Sequence, residues 1–179
     1  MHIAATDPSC LPLFRELWDA AAVFQRSIGA PAWAEFPERI LAGDMAEGRH
    51  FMGVRDDGAC LGYFAIIWRD EAIWQQRDRD DAIYIHRMCG NASTRGRSFT
   101  VGVFDWAMSF AAQAGRAFVR MDTWAENARL IAYYERCGFV RIGTRVIGDE
   151  PRLPPHYQGI SLALFENAVP DAGRRGAAR

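Results

Sequence analysis

Asn127-Ala128-Arg129-Leu130-Ile131-Ala132-Tyr133-Tyr134-Glu135-Arg136-Cys137-Gly138-Phe139 is the stretch on which the fold turns. Residues 127–137 read as a helix. Gly138 can end it in the left-handed conformation, and Phe139 then starts a strand in the core. Asn127 and Tyr134 lie on nearly the same helical face, roughly 10 Å apart at a rise of about 1.5 Å per residue.

Upstream, Phe118–Asp122 reads as a strand, and so does Ala82–Cys89. Between them, Arg95–Ala114 holds a Gly-containing turn and a helix with Phe99, Val103, Trp106 and Phe110 on one face. A helix that starts after a strand leaves unpaired N–H groups with partial positive charge, a ready site for phosphate. Gly96 lets the backbone approach a ligand. Ser98 and Thr100 can add hydroxyl donors, and Arg95 and Arg97 charge-assisted bonds.

Further out, His2–Thr6 is a short strand, and Asp7-Pro8 is a helix start. Leu13, Leu17, Ala20 and Phe24 give that helix one apolar face. Pro37–Glu47 is a second helix, carrying Ile40, Leu41 and Met45 inward. His50–Arg55 and Ala59–Trp68 flank Asp56-Asp57-Gly58, a hairpin turn. Arg69–Asp81 is a charged loop. Phe139–Gly148 and Tyr157–Phe165 are closing strands. Early hairpins and a central strand–helix–strand unit imply an α/β fold, a mixed sheet of about seven strands with helices on both faces.

The chain has 179 residues, half of them hydrophobic, and a formal net charge of -1. This suits a globular domain and gives no basic field to gather nucleic acid or anionic lipid. Residues 1–166 are expected to form one domain, with 167–179 a disordered tail. Every basic side chain except His is Arg, scattered as codon bias would leave them. Cys10, Cys60, Cys89 and Cys137 are far apart, so neither metal nor redox use is expected and a reducing compartment is. The beginning MHIAATDPSC lacks the features of a signal peptide, and no apolar run approaches the ~20 residues of a membrane span. A cytoplasmic protein is expected.

Two motifs together resemble the GCN5-related N-acetyltransferase (GNAT) superfamily. Asn127, Tyr134, Gly138 and Phe139 match its Asn followed by a helix ending in Tyr-x-x-x-Gly-Phe. Arg120-Met121-Asp122-Thr123-Trp124 resembles its fifth strand and exit. Arg95–Thr100 is similar to the phosphate loop Q/R-x-x-G-x-G/A, with Ser98 and Thr100 where the family has small, bare positions. The resemblance implies that acetyl-CoA is co-substrate, held by Arg95, Gly96, Arg97, Ser98, Phe99, Thr100 and Asn127, with the pantetheine arm running from Asn127 toward Tyr134.

It also implies direct attack of an amine on the thioester, without an acyl-enzyme. The oxyanion donor is then a backbone N–H near Met88 or Cys89, and Tyr134 is the acid for the departing thiolate. His86, on the strand face that alternation shares with Tyr84 and Met88, is the candidate base. The acceptor site falls to Phe24–Glu38 and Arg69–Asp81. Trp33, Phe36, Trp68 and Trp74 are either its lining or core. A homodimer is an admissible assembly. The competing readings are a non-catalytic acyl-CoA sensor and a toxin acting on charged tRNA, which the near-neutral charge disfavours.

Overall fold

The computed structural model describes residues 1–30, 32–33, 35–94, 98–153 and 157–170. The strands are β1 (His2–Ala5), β2 (His50–Val54), β3 (Cys60–Ile67), β4 (Ala82–Gly90), β5 (Phe118–Trp124), β6 (Val140–Val146) and β7 (Ser161–Ala168). They form a seven-stranded sheet in the order β1-β2-β3-β4-β5-β7-β6. β4 and β5 run parallel, whereas β1–β2, β2–β3, β5–β7 and β6–β7 pair antiparallel, which makes the sheet mixed as the sequence predicts. The helices are α1 (Leu11–Ser27), α2 (Glu38–Ala46), α3 (Glu71–Trp74), α4 (Ser98–Gln113) and α5 (Ala128–Arg136). The chain divides into two compact units, Met1–Ile66 with His86–Trp106, and Ile67–Ile85 with the residues from Ala107 onward. β4 and α4 contribute to both.

In the first unit, Gly58 takes φ +87° in the predicted hairpin turn, and the Arg55 N–H reaches the Ala59 carbonyl at 2.9 Å. The pleat sends Tyr63 and Phe64 to opposite faces of β3. Tyr63 meets Phe14 of α1 at 4.5 Å between ring centroids, and Phe64 meets Trp106 of α4 at 5.4 Å. Helices therefore cover both faces here. The buried stripe of α1 is Phe14, Leu17, Trp18 and Ala22, which keeps Leu17 of the predicted face but not the rest: Leu13 and Phe24 are exposed, and so is Ala20. Two apolar stripes compete on this helix, and the one carrying the larger rings wins burial. Trp33 stacks on Trp18 at 4.3 Å and Phe36 meets it edge-on, so both belong to the core. In α2, Leu41 and Met45 are buried as expected, but Ile40 is exposed.

In the second unit, the β4–β5 ladder pairs Ala82 with Phe118, Ile83 with Val119 and Tyr84 with Arg120. On its other edge β5 pairs with β7 along its whole length, from Phe118 to Trp124. Arg69–Asp81, expected as a loop, contains α3, whose Ile73 and Trp74 are buried. Four residues are too short to show helical periodicity. β7 runs through Ala168 and Val169 is buried, beyond residue 166 where the sequence reading ends the domain. The remainder of the expected tail, from 171 onward, lies outside the described residues.

His50 is completely buried at the start of β2, against Phe14 and Tyr63. Its Nδ1 meets the Thr6 hydroxyl at 2.8 Å, and Nε2 has no partner among the described residues. Burial, helped by the nearby Arg87 guanidinium, lowers its pKa to about 4. The unfolded chain then binds the extra proton first, so stability falls as pH drops below about 6.5 and the loss is complete near the folded value. That shift corresponds to about 3 kcal/mol at most. Urea midpoints measured from pH 7.5 to 4 should decline over this window, and decline less in His50→Gln.

Candidate functional site

Three residues of the predicted phosphate loop, Arg95, Gly96 and Arg97, lie outside the described residues. α4 opens at Ser98, and Thr100 is half-buried in its first turn. Phe99 is buried. Its ring lies over Gly53 and Gly62, partners across β2 and β3, and beside Gly90 of β4.

In the first unit, β4 carries His86, Met88 and Cys89. His86 and Met88 are half-buried. Arg87 between them has φ +52°, a left-handed residue inside a strand. Such a torsion is uncommon for a residue with a long side chain. Arg87 forms an ion pair with Asp44 of α2, a buried carboxylate that also holds Arg49 at 3.1 Å. Cys89 is buried in the α1–α2 core, its thiol 3.5 Å from the Leu17 carbonyl. Burial pushes that thiol up to about 12. It is a core thiol, and only its backbone can serve a ligand.

In the second unit, Asn127 is the N-cap of α5: its Oδ1 accepts from the Leu130 N–H at 3.1 Å. With Oδ1 engaged, the side chain offers a ligand its amide donors. The other end of α5 explains the motif spacing. Gly138 has φ +92°, its N–H reaches the Glu135 carbonyl at 3.0 Å, and the Phe139 N–H reaches the Tyr134 carbonyl at 3.2 Å. This is the Schellman closure, which needs a glycine four residues after Tyr134 and an apolar residue next. The Tyr134 backbone is thus clamped by the end of its own helix. Its ring is buried between Tyr133 at 5.9 Å and Phe165 of β7 at 5.7 Å. Burial first, then the Asp122 carboxylate, raise the phenol well above its ordinary value. Tyr134 therefore carries its proton at neutral pH, as a proton donor must. Asp122 and Asp70 bring carboxylate oxygens within 4.8 Å of each other.

Sequence reasoning missed Arg120, which anchors this unit. Its guanidinium donates to Glu166 at 2.7 Å, Asp81 at 2.8 Å, the Arg77 carbonyl at 2.9 Å and the Tyr84 hydroxyl at 3.2 Å. Tyr84 donates onward to Asp78 at 2.9 Å, and Asp78 accepts from Arg69 and from the Asp70 N–H. The segment 69–81 is thereby tied to the β4–β5 ladder. Trp74 lies against Arg120 and Tyr84 and is core. An arginine between apolar residues in Phe118–Trp124 was the available signal.

A family model described as the acetyltransferase (GNAT) family matches residues 12–139. A search of curated proteins finds no matching relative. Among solved structures, a GNAT acetyltransferase of Listeria monocytogenes aligns with TM-score 0.74 at 18% identity, over 93% of this chain and 94% of that one. The ribosomal-protein-alanine N-acetyltransferase of Brucella melitensis aligns with TM-score 0.66 at 14% identity, over 94% and 99%. An acetyltransferase of Bacillus anthracis in complex with acetyl coenzyme A aligns with TM-score 0.51 at 13% identity, over 66% and 61%.

Incubation of the folded protein with iodoacetamide should leave Cys89 unmodified by mass spectrometry, while half-buried Cys10, Cys60 and Cys137 react first. Early labelling of Cys89 would contradict its placement.

Proposed function

The chain belongs to the GNAT acetyltransferase family, and we propose that it moves the acetyl group of acetyl-CoA onto a primary amine of a small-molecule or peptide acceptor by direct attack. One observation carries this reading: Tyr134 is clamped at the Schellman end of α5, buried, and protonated at neutral pH. The acetyl-CoA complex of the Bacillus anthracis protein supports the donor. The Brucella melitensis enzyme, named for a ribosomal-protein alanine, supports an amine acceptor. The carboxylates of Asp70 and Asp122 favour an acceptor that arrives as its ammonium ion.

In this reading the ammonium first loses a proton, for which His86 is the proposed base. The amine nitrogen then bonds to the thioester carbon, and its oxygen draws on a backbone N–H near Met88 or Cys89. The C–S bond breaks as the tetrahedral centre collapses, and Tyr134 gives its proton to the departing sulfur. The second nitrogen proton restores Tyr134. Asn127 amide donors hold the pantetheine arm, and Arg95, Gly96, Arg97, Ser98 and Thr100 the diphosphate. Cys89 is a buried core thiol, which supports transfer that forms no acyl-enzyme.

A cytoplasmic setting is part of the proposal. It draws on four free cysteines and on the finding that no described helix is long and apolar enough to cross a membrane. No metal is proposed in the reaction.

Acetyl-CoA at ~100 times its Kd should stabilise the protein by ~2.7 kcal/mol in a thermal titration. No shift with acetyl-CoA, CoA or longer acyl-CoAs would sink the reading. Binding without thiol release from any amine in a panel would leave a non-catalytic acyl-CoA-binding module. Tyr134→Phe should lower kcat by ~10²-fold or more. The kcat/KM of His86→Ala should lose its acidic limb, and an unchanged profile would remove His86 from the mechanism.

A further inference from the structure

We propose that Phe99, read from the sequence as a coenzyme contact, is instead a positioning residue: its ring, seated in a glycine slot on β2, β3 and β4, fixes the start of α4 for donor binding. The inference rests on the donor reading above and assigns the part of the fold that holds it.

The slot is built from named absences. A Cβ placed on Gly53 would stand 2.9 Å from the Phe99 ring, and one on Gly62 would stand 2.6 Å from it. Carbon atoms do not approach so closely, so ring and methyl cannot share the space. Gly53 and Gly62 are direct partners in the β2–β3 ladder, and the register slips one residue later, between Gly53 and Val54. Glycine inside a strand weakens it, and it occurs where something must approach the backbone closely. At Gly53 the nearest group is the Phe99 ring, with the Met1 sulfur 3.2 Å from the same added Cβ. Gly90, at the end of β4, lies 3.6 Å from the same ring on this measure.

The second consequence follows from Gly62 alone. Its added Cβ would meet the Cys89 carbonyl oxygen at 2.4 Å, and Gly62 has φ +149°, a backbone that other residues rarely adopt. The end of β4 therefore packs against the same glycine that receives the ring. Phe99 is the second residue of α4, so its seat sets where that helix begins. One ring aligns the helix start assigned to the diphosphate with the strand end assigned to the thioester carbonyl. An ordinary core phenylalanine would stabilise the fold without affecting donor affinity selectively.

The test compares Gly53→Ala, Phe99→Leu and the double variant. The readouts are acetyl-CoA Kd by calorimetry, the separate KM values for acetyl-CoA and amine, and Tm. Displacement of a positioned group by about 1 Å can reduce function by about 10²-fold. Gly53→Ala is expected to weaken acetyl-CoA binding by about 10- to 100-fold and to raise KM for acetyl-CoA, with KM for the amine unmoved. The double variant should bind acetyl-CoA more tightly than Gly53→Ala, because the shorter side chain leaves room for the methyl. If Gly53→Ala fails to fold, Phe99→Leu alone decides: weaker acetyl-CoA binding at nearly parental Tm supports the seat. Parental Kd in either folded single variant would overturn it. A parent that binds no acetyl-CoA would refute the donor reading itself, not the seat.

Discussion

A single backbone torsion in β4 constrains much of what surrounds it. Arg87 adopts φ +52° in a strand, a conformation that costs an ordinary residue about 1–3 kcal/mol. It persists because its side chain is held by Asp44, whose carboxylate is buried on α2 and shared with Arg49. Removing either guanidinium would leave Asp44 with less compensation in a dry setting. Arg87 and Cys89, two residues apart on β4, both turn toward α1 and α2. Within the second unit, the first residues of β4 pair in parallel with β5. Only three residue pairs, ending at Tyr84 and Arg120, make that ladder.

The second unit answers with Arg120. An arginine placed in a parallel ladder is tolerated because four acceptors surround it, two of them carboxylates. Indole and phenyl faces of Trp74 and Phe118 lie about it at 5.3 and 5.0 Å. Such stacking suits a planar, weakly hydrated guanidinium better than an ammonium. Through Tyr84 and Asp78 the same network reaches the segment that precedes β4, so a polar chain does here what apolar packing does elsewhere.

What the sequence disclosed follows the range of the interactions concerned. The Asp56–Gly58 turn and the Gly138 end of α5 are local, and both were legible because a glycine must supply the positive φ. The hairpin, the central strand–helix–strand unit and the family resemblance then gave the fold. The inward face of α1 was not legible, since Leu13 and Phe14 start equally plausible stripes and only Tyr63, on β3, decides between them. Ile40 fails for the same reason beside Leu41. Asn127 was read for its chemistry, and its second duty as a helix cap was missed. The left-handed turn at Arg87 was invisible because nothing in Ile83–Gly90 marks it: arginine is not a residue that invites positive φ. Gly53 and Gly62 lie in no motif, and their purpose shows only when the Phe99 ring is placed above them.

The ion pairs have a chemical consequence of their own. Every side-chain cation in those described is an arginine, and none of the 179 residues is lysine. A guanidinium stays protonated at any pH the protein meets, so it offers no lone pair to an activated thioester. Acetylation of a lysine would remove both charge and hydrogen-bond donor from such a pair. This chain has no ε-amine for its own reagent to find. Among the ion pairs described, the acylatable amine is the Met1 α-amine beside Asp56, and any acetyl-lysine formed in the protein's presence belongs to another molecule.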